Sequence, residues 1–589
     1  MTEKDEKLII ANFSGFFGDR FSAAWEMIEG GPIDVLTGDY LAELTMAILL
    51  KQKMKDPAKG YAHTFLKQME KVMGSCLDKN IRVVSNAGGL NPKGLAEELQ
   101  KVARALGLHP TIAYIEGDDL MPRLKDLQEK GEALTHLDTD VALKDAKGMP
   151  ITANAYLGGW GVAQALEKGA DIVVGGRLAD AALVMGPAAW HFGWRRTDWN
   201  RLAGAAVAGH IIECSGQACG GNYSFVDEIP SYSNVGFPLA EMHADGSFVI
   251  TKHPGTGGIV SVGTVTAQLM YEVRDPRYLT PDVATRFDTI EIAQEGPDRV
   301  AVRGVCGEPP PDTTKVCINN LAGHGNTMTL LLAGLDIEKK AKIIEDTLFE
   351  ALGGKDALQT VAVELIRADK SNPPTNEEAY AYLRLGIQDP DPKKVAMFST
   401  KFVELALCTV PGLALTAPPD KGRPIIQHWP TLVAMREVPQ TVVMDAESVV
   451  VEPTLFEGDA PVPEPAAVNI PAAPSGPTTA VPLGRLFAAR SGDKGGNANL
   501  GIWAKTPEAF AFLRQFLSVQ KLKELMPDMA SYDIERYELP NLLALNFYVK
   551  GVLGDGVSAS LRMDPQAKTL GEYLRTKVVD IPQSLLQAG

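Results

Sequence analysis

Arg177 and Asp180 close the segment Asp171–Asp180, DIVVGGRLAD, in a pattern that delivers charge to a defined place. Ile172 to Val174 read as a short buried strand, Gly175 and Gly176 break it, and the apolar run Ala181–Gly186 resumes at helical spacing. A strand that stops at glycines and hands charged residues to the start of a helix is how an α/β sheet builds a site at its carboxyl edge. Four earlier segments carry polar groups in the same position: Ser14, Asp19 and Arg20; Asp39 and Glu43; Ser85 and Asn86; and Glu116, Asp118 and Asp119. Asx turns and helix caps explain any one of these, and are the plainer reading for Ser14, Asn91 and Asp119. Five such ends on one edge predict a shared site.

Two glycine-rich stretches could hold an anion. In SNAGGLNP (Ser85–Pro92), Asn86, Gly88 and Gly89 precede a helix start, so backbone N–H groups and the helix dipole would favour a carboxylate or phosphate. The stretch lacks the GK[ST] of a phosphate-binding P-loop and the G-x-G-x-x-G of a dinucleotide site. In ARSGDKGGNANLG (Ala489–Gly501), Arg490, Ser491, Lys494 and Asn497 are candidate substrate-binding residues, with Arg177, and Asp493 is a candidate acid/base. The other acid/base candidates are Asp118, Asp119, Asp180 and the pair His210–Glu213, one helical turn apart. His210 with Cys214 and Cys219 also admits a metal-dependent lyase, but the spacing lacks the C-x-x-C form of robust zinc sites, so no metal is expected.

The elements that must position these residues repeat one pattern over the first 200 residues: apolar strand, polar glycine-bearing turn, helix. The strands begin near Leu8, Pro32, Ile81, Thr111 and Asp171, with helices over Tyr40–Met54, Pro92–Leu106 and Ala155–Lys168. That alternation predicts a mostly parallel, doubly wound α/β sheet over residues 1–200. Residues 201–452 read as a mixed α/β domain packed on the first, with helices over Leu330–Leu352 and Asp356–Ala368 and another apolar element over Lys393–Cys408. Residues 453–482 form a Pro/Ala-rich extended linker. Residues 483–589 read as a small ferredoxin-like α+β domain with strands at 541–549 and Gly556–Arg562.

A chain of 589 residues needs several cores. Its net charge of −16 argues against nucleic acid or an anionic membrane as partner. Six cysteines in this length make no disulfide framework, the N-terminus is charged, and no apolar run approaches the roughly 20 residues that span a bilayer. A cytoplasmic homo-oligomer is expected.

Taken in order, GFFGDR (15–20), SNAGGLNP (85–92), ANAYLGG (153–159), GGRLADAAL (175–183), GHIIECSGQACGG (209–221), TKHPGTGG (251–258), YEVRDPRYLTPDV (271–283) and SGDKGGNANLG (491–501) resemble the acyclic terpene utilisation (AtuA-like) family. The resemblance covers nearly the whole chain, including a C-terminal ferredoxin-fold domain. It implies catabolism of acyclic terpenoids and other branched acids through acyl-CoA intermediates, and brings no catalytic residues with it. The expected activity is that of a hydratase or hydro-lyase on an acidic or acyl-CoA substrate, with no cofactor beyond a coenzyme A thioester as substrate. The alternative is a non-catalytic acyl-CoA or carboxylate binding component serving a separate carboxylase or lyase. The long linker further predicts that Lys494 reaches the sheet edge near Arg177 and Asn86.

Overall fold

The computed structural model describes residues 7–587, with the side chains of Glu43 and Leu44 outside the description. Five short strands form the parallel centre of the main sheet: β1 (Lys7–Ser14), β2 (Val35–Gly38), β3 (Arg82–Ser85), β4 (Ile112–Glu116) and, after β5 (Met149–Ala155) in a second sheet, β6 (Ile172–Gly175). They run in the order β1-β2-β3-β6-β4, all pairings parallel, so their carboxyl ends share one edge. Alternate residues bury on opposite faces, as a sheet covered twice requires. Leu8, Ile10, Val84 and Ala113 join one core; Ala11, Phe13, Val83 and Ile112 join the other.

Antiparallel strands extend this sheet on both sides. β7 (Pro238–His243), β8 (Phe248–Lys252) and strands Arg299–Arg303 and Glu291–Gly296 continue from β1, and Gln440–Met444 and Glu447–Val451 continue from β4. The helix Pro92–Ala105 shows the local logic. Asn91 accepts a hydrogen bond from Gly94 N, Pro92 takes the first turn, and Leu95, Leu99 and Ala103 bury one stripe. Such a cap contributes about 1 kcal/mol.

The second sheet is built on one 21-residue strand, Thr313–Ala333. Its first half pairs with β5 and its full length is flanked by Arg423–Ala434 and Tyr380–Asp389. A bulge between Leu321 and Gly323 marks where it leaves the main body. Beyond it, helices Ile337–Ala351 and Pro392–Leu405 cover a satellite core. The helix expected over Asp356–Ala368 is instead a strand, Thr360–Ile366. Its alternating TVAVELI has the period and the β-branched content of an edge strand.

In the C-terminal domain, strands Ala488–Lys494, Asn497–Trp503, Ala544–Val549 and Ile534–Leu539 form an antiparallel sheet in that order, with helices Pro507–Phe516, Val519–Leu525 and Leu570–Arg575. The strand expected at Gly556–Arg562 is turn structure, and Ile534–Leu539 supplies the fourth strand. Residues 453–477 hold no regular element but are strapped to the body. Phe456 packs edge-on against Trp199, Arg286 donates to Pro463 O and Ala466 N to Asp288 O. No helix among the described residues is long and apolar enough to cross a membrane.

Candidate active site

The edge is assembled by side chains that tie neighbouring strand ends together. Between β2 and β3, Asn86 donates to Asp39 Oδ1 (2.8 Å) and accepts from Tyr40 N (2.9 Å). Between β4 and β6, Asp118 Oδ2 accepts from Arg177 N and from Asn154 Nδ2, both at 2.8 Å. Gly176 must be glycine there, since a Cβ would lie 2.3 Å from Asp118 Oδ1. Burial holds the Asp118 carboxyl up at about 6, and it braces the Arg177 turn. β1 joins through Gly15, packed so closely that a Cβ would stand 2.7 Å from Glu213 O.

The turn so braced buries Arg177. Its Nη1 donates to Asp180 Oδ1 at 2.7 Å and its guanidinium lies 4.2 Å from the Tyr156 ring. Lys315 approaches the same ring at 5.1 Å. Burial opposes the charge on Arg177, and Asp180, Tyr156 and Asp39 more than offset it. Asp39 in turn is pushed well above the carboxylate range, by burial and then by Asp180. Arg177 Nε has no hydrogen-bond partner among the described residues.

Across from this pair stand Glu213 and His210, at the end of helix Trp199–Ile212. His210 Nε2 meets the Gln268 carbonyl at 3.0 Å; a carbonyl only accepts, so Nε2 carries the proton. Burial, and then the charge of Lys494, push the imidazole down to about 4, so it is neutral and Nδ1 offers a lone pair. Glu213 Oε1 lies 3.2 Å from Nδ1. Burial, then Asp180 and Glu272, push Glu213 well up, which favours its acid form, while Nδ1 makes no hydrogen bond among the described residues. Its other oxygen, Oε2, is buried without a partner among the described residues.

The C-terminal domain closes the site. Its SGDKGG stretch is no open loop but a β-hairpin, with Lys494 paired to Asn497 across a two-residue turn and Gly495 at φ +65°. The hairpin grips residues 270–274: Asn499 donates to Met270 O and accepts from Glu272 N, and Asn546 donates to Val273 O and Arg274 O. This holds Glu272 at φ +57°, a conformation a non-glycine residue keeps only when its surroundings over-determine it. Gly492 serves that packing, since a Cβ would lie 2.6 Å from the Tyr271 ring. Lys568 then bridges Glu272 Oε1 (3.2 Å) and Asp493 Oδ1 (3.3 Å). Lys494, half-buried, makes no hydrogen bond or ion pair among the described residues, yet its charge acts on both His210 and Glu213. The C-terminal domain thus brings the Lys494 charge to His210 and Glu213.

Asp180, His210, Glu213, Arg177 and Lys494 thus converge, with Asn86 one step behind through Asp39 and Asp493 one step behind through Lys568 and Glu272. Several other candidates lie elsewhere or serve structure. Asp119 is exposed and accepts from Met121 N, a turn cap. The N–H groups of Ala87, Gly89, Leu90 and Asn91 are bonded within their own neighbourhood, so the Ser85–Pro92 turn is a closed knot. Gly88 and Gly89 are packing positions, each Cβ falling within 2.5 Å of Gly175 O or Leu49 Cδ1. Ser491 Oγ accepts from Gly571 N, and Asn497 links Asp138, Tyr548 and Gly551 N. Arg490 bonds Gln217 and lies 4.4 Å from the Tyr271 ring. The Glu43 side chain lies outside the described residues.

The sequence reading missed one whole wall. Asn154, Lys315, Cys317, Asn319 and His428 come from three strands of the second sheet, and Tyr156 directly follows β5. Lys315, Cys317 and Asn319 alternate with Val316 and Ile318, a period-two signal that predicts one polar face. His428 joins that face, its Nδ1 3.4 Å from Cys317 Sγ. Between this wall and the hairpin lies a cavity of ≈ 50 Å³ lined by Asn319, His428, Asp493 and Gly495. His210, Cys214 and Cys219 do not form a metal site: among the described residues no group of three or more His, Cys, Asp or Glu side chains could hold an ion.

The chain belongs to the acyclic terpene utilisation family AtuA, whose model matches residues 8–444, and the AtuA ferredoxin-like domain matches residues 481–580. Both halves of the resemblance read from the motifs are thereby established, including the ferredoxin-like fold of the last domain. No curated protein matches the chain.

Proposed function

We propose that this protein serves acyclic terpene utilisation as a hydro-lyase, adding or removing water across an activated double bond in an acidic or acyl-CoA substrate. The observation that carries the reading is the pairing of opposites around Asp180. Glu213 is held toward its acid form against neutral His210, while Asp180 stays beside the Arg177 guanidinium. A carboxyl pushed toward its acid form beside a carboxylate paired with arginine is the arrangement that supplies an acid and a base together.

In the elimination direction, Asp180 takes the proton α to the substrate carbonyl and Glu213 protonates the departing hydroxyl, which leaves as water. Arg177, through its unpartnered Nε, and Lys494 hold the substrate's anionic group or the developing enolate oxygen. His210 stands 3.2 Å from Glu213 and packs that acid in place. The chemistry requires no cofactor beyond the substrate's own coenzyme A thioester, and we place it in a cytoplasmic homo-oligomer.

The test is incubation of the purified chain with branched α,β-unsaturated acyl-CoAs and the free acids in ¹⁸O-labelled water. Label in a β-hydroxy product, lost in Glu213→Gln, is the expected result. Saturable binding with no turnover of any of these substrates would leave the non-catalytic binding component as the function.

A further inference from the structure

We propose that Cys317 and His428 form a second reactive pair, in which the Cys317 thiol accepts an acyl group from a thioester. The inference rests on the acyl-thioester part of the substrate reading and is independent of the water chemistry.

The two residues sit on adjacent strands of the second sheet, where Asn319 is registered against His428 and Cys317 against Pro430. Their side chains share the face that looks toward the hairpin, and Sγ lies 3.4 Å from Nδ1. Of the cysteines, Cys317 is the one whose sulfur meets an imidazole among the described residues. Cys76 and Cys219 are as buried as Cys317 but lie within the hydrophobic cores, without an imidazole against the sulfur among the described residues. Lys315 stands two residues before Cys317 on the same side of its strand, its ammonium over the Tyr156 ring. A thiol beside a base is the arrangement that activates a cysteine nucleophile.

The imidazole side of the pair, rather than the buried Cys317 sulfur, borders a cavity. His428 lines the ≈ 50 Å³ cavity with Asn319, Asp493 and Gly495. Gly495 covers the imidazole so closely that a Cβ would lie 3.1 Å from His428 Cδ2. A cavity of this size admits a carbonyl group rather than a whole acyl chain, so the thioester approaches from the hairpin side.

In the step, His428 Nδ1 takes the thiol proton as Cys317 sulfur bonds to the acyl carbonyl carbon. The carbon–sulfur bond to coenzyme A then breaks, and His428 returns the proton to the coenzyme A thiolate. Acyl-CoA and thiol become acyl-cysteine and free coenzyme A, with no change in oxidation state.

The experiment uses the full chain with 3-methylbutanoyl-CoA and isotopically labelled coenzyme A. Wild-type protein should exchange label into the acyl-CoA pool, and acid-quenched peptide mapping should find the acyl group on Cys317. Cys317→Ala should abolish exchange, and His428→Gln should slow it by about 10²-fold or more, as loss of a general base does. No exchange by folded wild-type protein, or an adduct confined to exposed Cys408, would overturn the proposal, and that result is read without any variant. Exchange here, with no β-hydroxy product from the α,β-unsaturated acyl-CoAs of the hydration assay, would support this pair and count against the hydro-lyase. Hydration without exchange would do the reverse.

Discussion

Two turns leave adjacent parallel strands of the same sheet, and both are glycine-rich, yet they do opposite things. After β3, the Ser85–Asn91 turn bonds its N–H groups to Ser85 Oγ, Asn86 O, Gly60 O and Gly88 O, and has few donors left for a ligand. After β6, the Gly175–Asp180 turn is held from outside. Asp118, on the neighbouring strand end, accepts its Arg177 N–H, and the guanidinium is left to face the site. Glycine content alone does not distinguish an anion seat from a packing knot. What distinguishes them is whether a third group satisfies the turn. The same lesson holds in the C-terminal hairpin, where Gly492 serves close packing on Tyr271 while the Lys494 ammonium at the tip meets no partner among the described residues.

The contrast breaks most sharply at Arg177. Arg177→Ala leaves Asp180 and Asp39 without their buried cation, and unfolding in denaturant should show a loss of about 3–5 kcal/mol together with loss of turnover. An Arg177→Ala protein as stable as wild type would end the view that this turn is electrostatically built.

Asp118 gives the next effect, visible as a pH dependence. Its carboxyl is raised to about 6 by burial, against about 3.9 in an unfolded chain. The proton therefore favours the folded state. The contribution is fully present below about pH 4 and disappears as pH rises through 6, on the order of 2–3 kcal/mol. Stability of wild type relative to Asp118→Asn should fall across that window, and a flat difference would contradict it.

Lys494→Gln separates function from stability. With no partner to lose, its unfolding free energy should stay within about 0.5 kcal/mol of wild type, while kcat/KM drops about 10- to 100-fold, the worth of one charge-assisted hydrogen bond. Equal losses in both would make Lys494 a structural cation.

Gly88→Ala tests the closed knot itself. The new Cβ meets Gly175 O at 2.4 Å and Pro92 Cα at 2.7 Å, so about 1–3 kcal/mol of stability should be lost. Substrate affinity should change by less than about twofold if the Ser85–Pro92 N–H groups bind no anion. A tenfold loss of affinity at unchanged stability would restore the anion-seat reading.

The five strand ends were legible because a parallel sheet writes itself as repeated apolar runs stopped by glycine and polar residues. Arg177, Asp180 and the His210–Glu213 turn could be named from that pattern. Asp119 could be named but not excluded, since a cap and a catalytic carboxylate look alike until their partners are seen. The wall carrying Tyr156, Lys315, Cys317 and His428 went unread. Its residues lie more than 270 positions apart along the chain, and no local period links β5 to Arg423–Ala434.

What the sequence determined by itself is local: strand and helix periods, turn residues, the proline-rich strap, and the family through its ordered motifs. Only the tertiary structure decided which polar groups are satisfied by neighbours and which face the site. That depends on pairings such as Asp118 with Arg177 and Asn499 with Glu272, made between segments 59 and 227 residues apart. A buried charge or donor is settled by whatever stands within about 3 Å of it, and that distance is set by the fold as a whole.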